Sequence, residues 1–201
     1  MTKFDKPTTR RGVLRIGAGL GAAAVVGGTT GLAQAHHINK RAGPGIARKY
    51  LPQSVSFSAR YRPGTVVVDP RNKFLYLVQG GGRARRYGVG VGRAGLAWSG
   101  SATIGRKAKW PRWTPTKNMI RREPHKYAQY ASGLPGGPGN PLGARALYLY
   151  RGGRDTYYRI HGTNQPWSIG QAVSSGCIRM LNSHVADLYG RVPVGARVVV
   201  L

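Results

Sequence analysis

Apolar residues in this chain fall into short β-branched and aromatic runs separated by turn residues. Thr65-Val66-Val67-Val68 and Lys73-Phe74-Leu75-Tyr76-Leu77-Val78 read as strands, divided by the turn-like Asp69-Pro70-Arg71-Asn72. Gly80-Gly81-Gly82 leads into Arg86-Tyr87-Gly88-Val89-Gly90-Val91-Gly92, where glycine strictly alternates with larger residues. That spacing builds a glycine face that another backbone can approach. No helical pattern opens after it, which argues against a phosphate-binding loop. Trp98 to Pro141 reads as a long irregular region, held from disorder by Trp98, Trp110 and Trp113, and is expected to wall a cleft.

Two further strands are expected at Ala146-Leu147-Tyr148-Leu149-Tyr150 and Thr156-Tyr157-Tyr158-Arg159-Ile160, joined by Arg151-Gly152-Gly153-Arg154-Asp155. Asn182 can N-cap a short helix through Val185, Leu188 and Tyr189, closed by Gly190. A turn at Val194-Gly195-Ala196 then opens a last strand, Arg197 to Leu201. The pattern predicts about seven strands and one or two short helices, a mostly β fold.

The first 35 residues carry a different texture. Thr9-Arg10-Arg11-Gly12-Val13-Leu14-Arg15 is a twin-arginine pattern, Ile16 to Ala35 is uncharged, and Ala33-Gln34-Ala35 offers a small-x-small cleavage site. The uncharged stretch is rich in glycine, which favours a removable signal over a retained membrane anchor. Export to the periplasm or envelope is therefore expected, with membrane contact only before cleavage. Residues 36–62 are basic and interrupted by Pro and Gly, as in a linker or an arm wrapped on the domain. Residues 63–201 form the remaining domain.

The whole chain carries a formal charge of +27. The basic residues are scattered, with no zinc-finger or helix-turn-helix pattern, and export removes the chain from the genome, so nucleic acid is not the expected partner. An anionic envelope polymer suits the charge and the compartment better.

Cys177 is the only cysteine, so it has no disulfide partner within the chain. It lies in Ser174-Ser175-Gly176-Cys177-Ile178-Arg179-Met180, sixteen positions after His161 of Ile160-His161-Gly162-Thr163. On composition alone the thiol is either a small buried hydrophobe or a nucleophile generated by a nearby imidazole. His125 and His184 lack the close-spaced partners of a metal site. No cofactor motif is present.

His161-Gly162-Thr163, Ile169-Gly170 and Ser175-Gly176-Cys177-Ile178-Arg179-Met180 together resemble the signature of the L,D-transpeptidase catalytic domain family, the YkuD type. Trp113-Thr114-Pro115, Asn140-Pro141-Leu142-Gly143 and Leu188-Tyr189…Gly195…Val198 support the likeness, which runs from about Gly64 to Leu201. The resemblance implies a β-sandwich or barrel-like domain acting on peptidoglycan tetrapeptide stems as a monomer, without metal or cofactor. Cys177 would be the nucleophile, His161 the base and acid, and the Gly162 carbonyl the group orienting His161. Amides around Gly176 and Cys177 would supply the oxyanion donors. Thiolate and imidazolium are expected as a ready pair. Attack on the bond between diaminopimelate and terminal D-alanine would give a thioester, resolved by a neighbouring stem's amine into a 3→3 crosslink. Water, a free D-amino acid or a lipoprotein lysine are alternative acceptors, and a degenerate cationic envelope-binding module is the alternative outside catalysis.

Arg179 is expected to organise the site or hold a substrate carboxylate, against a purely structural clamp. Many family members have His where this chain has Ser175. Ser174 and Ser175 are read as hydrogen-bonding the loop, with Ser175 placed toward substrate. Trp113, with Trp110, either stacks on sugar rings or staples the long loop.

Overall fold

The structure, a computed structural model, describes residues 45–94 and 96–201. The twin-arginine segment and the first part of the basic arm lie outside the described residues. In chain order the strands are β1 (Gln53–Ser56), β2 (Val66–Asp69), β3 (Phe74–Val78), β4 (Arg83–Gly88), β5 (Val91–Gly92), β6 (Gly100–Lys109), β7 (Arg145–Arg151), β8 (Arg154–His161), β9 (Ala172–Ser174), β10 (Ile178–Arg179) and β11 (Arg197–Val200). The α-helices are α1 (Lys117–Arg122), α2 (Pro124–Tyr127) and α3 (Asn182–Arg191), with 3-10 turns at Arg48–Tyr50, Ala128–Tyr130 and Pro166–Ser168. The class is mostly β, as the pattern predicts.

Nine strands form one sheet in the order β1-β4-β3-β2-β11-β6-β7-β8-β10, and β5 pairs with β9 in a small second sheet. At its centre β2 runs parallel to β11 and antiparallel to β3. Val66, Val67 and Val68 are wholly buried, the continuous apolar run expected of a strand covered on both faces. Leu75, Tyr87, Ile104, Leu147, Leu149 and Ile160 extend the core across the sheet, and Val185 and Leu188 of α3 pack on it. The segment read as a linker or arm contributes β1 and Tyr50; the Tyr50 side chain lies where a Cβ on Gly88 would be. The Asp69 carboxylate accepts from the Asn72 amide (3.0 Å) and side chain (2.6 Å), closing the turn between β2 and β3.

Two expectations are corrected. The first part of the region read as irregular is β6, ten residues long, pairing with β7 and β11. Only Ala102 and Ile104 of β6 are buried, so its sequence shows no hydrophobic alternation. Its register breaks between Ile104 and Arg106, where Gly105 lies too close to the Tyr150 ring to carry a side chain. Asn182 is also not a cap: Leu181 holds the N-cap position of α3, without a side-chain bond, and the Asn182 side chain turns to another task.

All four carboxylates among the described residues have structural partners. Asp69 closes its turn, Asp155 pairs with Arg159, Glu123 lies 2.6 Å from Arg93, and Asp187 joins Arg85, the Tyr87 hydroxyl and Arg191 at 2.7–2.9 Å. Tyr87, buried against Asp187, has its phenol pushed up to about 12 by burial and by that carboxylate.

Candidate active site

β10 adds to the edge of the large sheet parallel to β8, with Ile178 opposite Ile160 and Arg179 opposite His161. Both isoleucines are in the core. Strand alternation therefore sends Arg159, His161 and Arg179 to the other face, together with Cys177 just before β10. Along this register Cys177 and His161 are diagonal neighbours, with backbones roughly 8 Å apart by strand spacing and rise.

His161 is buried, and its Nδ1 lies 2.5 Å from the Gly162 carbonyl oxygen. A carbonyl can only accept, so Nδ1 carries the proton and Nε2 is left as the basic nitrogen. Asn182 holds this turn in place. Its Oδ1 accepts from the amides of Thr163 (3.2 Å) and Ala144 (3.0 Å), and it occupies the space a Cβ on Gly143 or Gly162 would need. Burial lowers the His161 imidazole to about 3, with the Arg179 and Arg159 guanidiniums acting the same way against the Gly162 bond.

The cysteine loop is fixed by Ser174, whose hydroxyl donates to the Cys177 carbonyl (2.6 Å) and accepts from the Gly176 amide (3.1 Å). Of the Gly176 and Cys177 amides expected to receive an oxyanion, that of Gly176 is engaged inside the loop. The Gly176 glycine is needed for another reason. Its φ is +122°, and a Cβ there would meet Tyr158 Cε1 at 2.8 Å and the Leu96 carbonyl oxygen at 2.9 Å. The Cys177 side chain is half-buried, with Sγ 3.8 Å from the Tyr157 carbonyl oxygen. Burial raises the thiol, while the Arg159 amide and the two guanidiniums act to lower it. Burial thus works against the charged form of both the thiol and the imidazole.

Arg179 is half-buried and pairs its backbone with Gly90 in both directions (2.8 and 2.9 Å). Its guanidinium donates to Gln165 Oε1 at 2.9 Å, and the Gln165 amide is held in turn by Thr163 Oγ1. Among the described residues no carboxylate pairs with it, in contrast to Arg159, which is bidentate to Asp155 at 2.7 and 2.9 Å. Burial lowers Arg179 below the ordinary arginine value.

Trp113 packs edge-on against Tyr127 and Tyr130, so it staples the long loop. One of these partners, Tyr127, acts electrostatically on Arg179. Asn140 anchors the same loop, its amide donating to the carbonyls of Pro111, Leu134 and Pro135 while its oxygen accepts from Leu142 N. Ser175 is half-buried beside Cys177; His125 is exposed on α2, and His184 is buried on α3 near Tyr87. Sequence reasoning missed the working roles of Asn182, Gln165 and the β8 backbone. Only Asn182 carried a signal, its place two residues after Met180 between the motif and the helix.

The glycine face predicted over residues 88–92 is present and filled. Gly88 receives Tyr50, Gly90 the Ser168 carbonyl, and Gly92 approaches Gly176 and Ala97. No helix among the described residues is long and apolar enough to cross a membrane.

The family model described as the L,D-transpeptidase catalytic domain, YkuD, matches residues 63–200. A curated relative, the probable L,D-transpeptidase ErfK/SrfK of Escherichia coli strain K12, is 34% identical over 153 residues, covering 75% of this chain and 48% of the relative. The chain thus spans about half the length of that relative. A crystal structure from Brucella melitensis, described as a probable carnitine operon oxidoreductase CaiA, is 56% identical with a TM-score of 0.54, covering 78% of this chain and 96% of that one. The Ldtfm–avibactam carbamoyl enzyme shares the fold at 18% identity, with a TM-score of 0.51 and coverage of 70% and 49%. The oxidoreductase description belongs to the Brucella protein; in this chain the glycine face that would suggest a dinucleotide is occupied by Tyr50 and Ser168.

Proposed function

The chain belongs to the L,D-transpeptidase catalytic domain family, and from that premise we propose that it crosslinks peptidoglycan stems through a thioester on Cys177. The observation that carries this reading is the shared face of β8 and β10. It joins a half-buried thiol, a histidine whose Nε2 is free of the Gly162 bond, and an arginine without a carboxylate partner among the described residues.

In this mechanism His161 Nε2 takes the Cys177 proton as sulfur attacks the diaminopimelate carbonyl. Burial disfavours the charged form of both groups, so charge separation is coupled to formation of the carbon–sulfur bond. The oxyanion is received by the Cys177 amide, since the Gly176 amide is engaged by Ser174. His161 then protonates the departing D-alanine amine, and the thioester remains. A second stem's amine attacks it, giving its proton to His161, and the sulfur leaves as the thiol. Arg179 holds a stem carboxylate, the anion its planar fork matches, and Ser175 lines the same mouth. Trp113 acts through the loop it staples.

Export through the twin-arginine signal would deliver the domain to the envelope. A cleft of about 1100 Å³ lined by Arg60, Tyr61, Arg62 and Arg197 adds a cationic surface suited to the sacculus.

The test is purified protein with tetrapeptide stems, scored for crosslinked dimer by mass, and with a carbapenem, scored for a covalent adduct. Wild type should form both, and Cys177→Ala neither, while folding normally. Dimer formation by Cys177→Ala would overturn the mechanism. A hydrolysed or D-amino-acid-exchanged stem in place of the dimer would assign water or a free D-amino acid as acceptor, and labelling of a protein lysine would assign lipoprotein anchoring. Neither product nor adduct from folded wild type would support the binding-module alternative.

A further inference from the structure

The beginning of β8 is irregular in a way the motif does not require. Tyr150 of β7 faces Asp155 and Tyr148 faces Arg159, so three residues, Thr156 to Tyr158, bulge opposite Leu149 alone. At the apex Tyr157 adopts a φ of +63° and is 71% exposed. A tyrosine in the left-handed region needs a local reason. Dedicated side-chain bonds hold it there. Asp155 Oδ1 accepts from the Tyr157 amide at 2.8 Å. Thr156 Oγ1 accepts from the Tyr158 amide at 3.2 Å and donates to the Leu149 carbonyl across the strand at 2.6 Å. Asp155 also grips the Arg159 guanidinium with both oxygens.

The backbone so fixed faces the sulfur. The Tyr157 carbonyl is the acceptor of the Cys177 thiol at 3.8 Å, and the Arg159 backbone, across from Cys177 one step before the Ile160–Ile178 pair, bears on the same sulfur with an amide that lowers it. We propose that Asp155 and Thr156 are positioning residues. By locking the β8 bulge they set the Tyr157 carbonyl to hold the resting thiol and the Arg159 amide to receive the thiolate. The proposal rests on Cys177 being the nucleophile. Its proton leaves the Tyr157 carbonyl for His161 Nε2, and the sulfur then accepts the Arg159 N–H in a short shift that needs no backbone movement. A carbonyl alone would favour only the thiol, and an amide alone only the thiolate. The bulge supplies both from main chain, which no side-chain substitution at Tyr157 would itself remove. The charged groups acting on the sulfur are Asp155 and Arg159 from β8 and Arg179 from β10; His161 is its diagonal neighbour on β8, and Tyr127 of α2 acts on Arg179.

The experiment measures the rate of Cys177 alkylation by iodoacetamide from about pH 5 to pH 10, with kcat and KM on a tetrapeptide stem, using the full chain. Thr156→Val removes both hydroxyl bonds at nearly constant shape. The amide bond to a thiolate is charge-assisted and outweighs the weak thiol–carbonyl contact, so the variant should move the alkylation midpoint up by about one unit and lower kcat roughly tenfold with KM within about twofold. Thr156→Ser should restore both. An unchanged midpoint and kcat in folded Thr156→Val would overturn the proposal. Where that variant does not fold, Asp155→Asn decides. It keeps an acceptor for the Tyr157 amide but loses the Arg159 pair; because losing the Asp155 charge by itself moves the thiol down, a midpoint that only falls, with kcat unchanged, is equally fatal. Failure of the crosslinking reading is separable, since it shows in wild type as a missing carbapenem adduct while the alkylation midpoint still responds to residue 156.

Discussion

The centre and the edge of the large sheet are built from the same element to opposite ends. Around β2, β3 and β11 the buried positions are valine and leucine, and the turn between β2 and β3 is closed by its own aspartate. At the β8–β10 edge, by contrast, a histidine and two arginines lie beside a thiol under the cover of loops, next to a tyrosine with a left-handed backbone. Burying an apolar side chain of leucine size stabilises a fold by about 1.5–3 kcal/mol, whereas a strained backbone position costs roughly 1–3 kcal/mol and a buried charge costs more unless it is paired. The centre thus supplies stability that the edge draws down. What the edge gains is a set of groups held away from their solution behaviour, which is where chemistry can be done.

Acid should expose this contrast most strongly. His161 is held neutral, its folded value near 3 against an ordinary 6.5. As pH falls, the unfolded chain takes up this proton first, so the folded state is fully favoured above about 6.5 and progressively penalised between 6.5 and 3. The penalty reaches about 3 kcal/mol by pH 4. Urea unfolding at pH 7 and pH 4 measures it, and His161→Gln should flatten the dependence while abolishing activity. Asp187, lowered by Arg85, Tyr87 and Arg191, adds acid lability of the same sign and remains in that variant. Equal slopes for wild type and His161→Gln would show that the imidazole is not the buried neutral group described.

A centre mutation should act on stability alone. Leu75 is fully buried in β3, and Leu75→Ala leaves a cavity there, for an expected loss of about 3 kcal/mol. The surviving folded fraction should retain the wild-type kcat, because β3 is hydrogen-bonded to neither β8 nor β10 and Leu75 lies on the core side of the sheet. A fall in kcat of the folded fraction beyond about threefold would mean that the two regions are coupled and the division drawn here is false.

How much of this was legible follows the same division. The central strands announce themselves, since Val66–Val68 and Phe74–Val78 are apolar runs bounded by turn residues. Cys177, His161 and Gly162 were readable because their spacing matches a known signature. β6 was not, as its partners supply the hydrophobic cover and its own residues are small or charged. Asn182 looked like a cap because asparagine before a helix usually is one; only the fold reveals that the Ala144 and Thr163 amides arrive at its oxygen first. The bond made by the Gly176 amide was hidden for a related reason. A serine two residues earlier can fold back onto it, and sequence does not say which N–H the hydroxyl will choose. The direction in which burial pushes Cys177 and His161 depends on segments distant in sequence.

The remaining prediction reverses the centre experiment. Arg179 is a half-buried cation bonded to Gln165 and without a carboxylate among the described residues, in a chain whose four described acids are all engaged elsewhere. Such a charge does little for the fold, and its removal is often neutral or mildly stabilising. Arg179→Gln should therefore change stability by less than about 1 kcal/mol. A carboxylate bound by a guanidinium fork is worth about 1.5–3 kcal/mol, so kcat/KM on tetrapeptide stems should fall roughly 10- to 100-fold. Stems whose free carboxylates are amidated should already be poor substrates of the wild type, and should lose little more in the variant. That pairing matters more than either number. If the variant loses the same factor on amidated and free stems, Arg179 is holding the β10 backbone against Gly90 rather than meeting substrate, and the edge of the sheet would be another piece of scaffold.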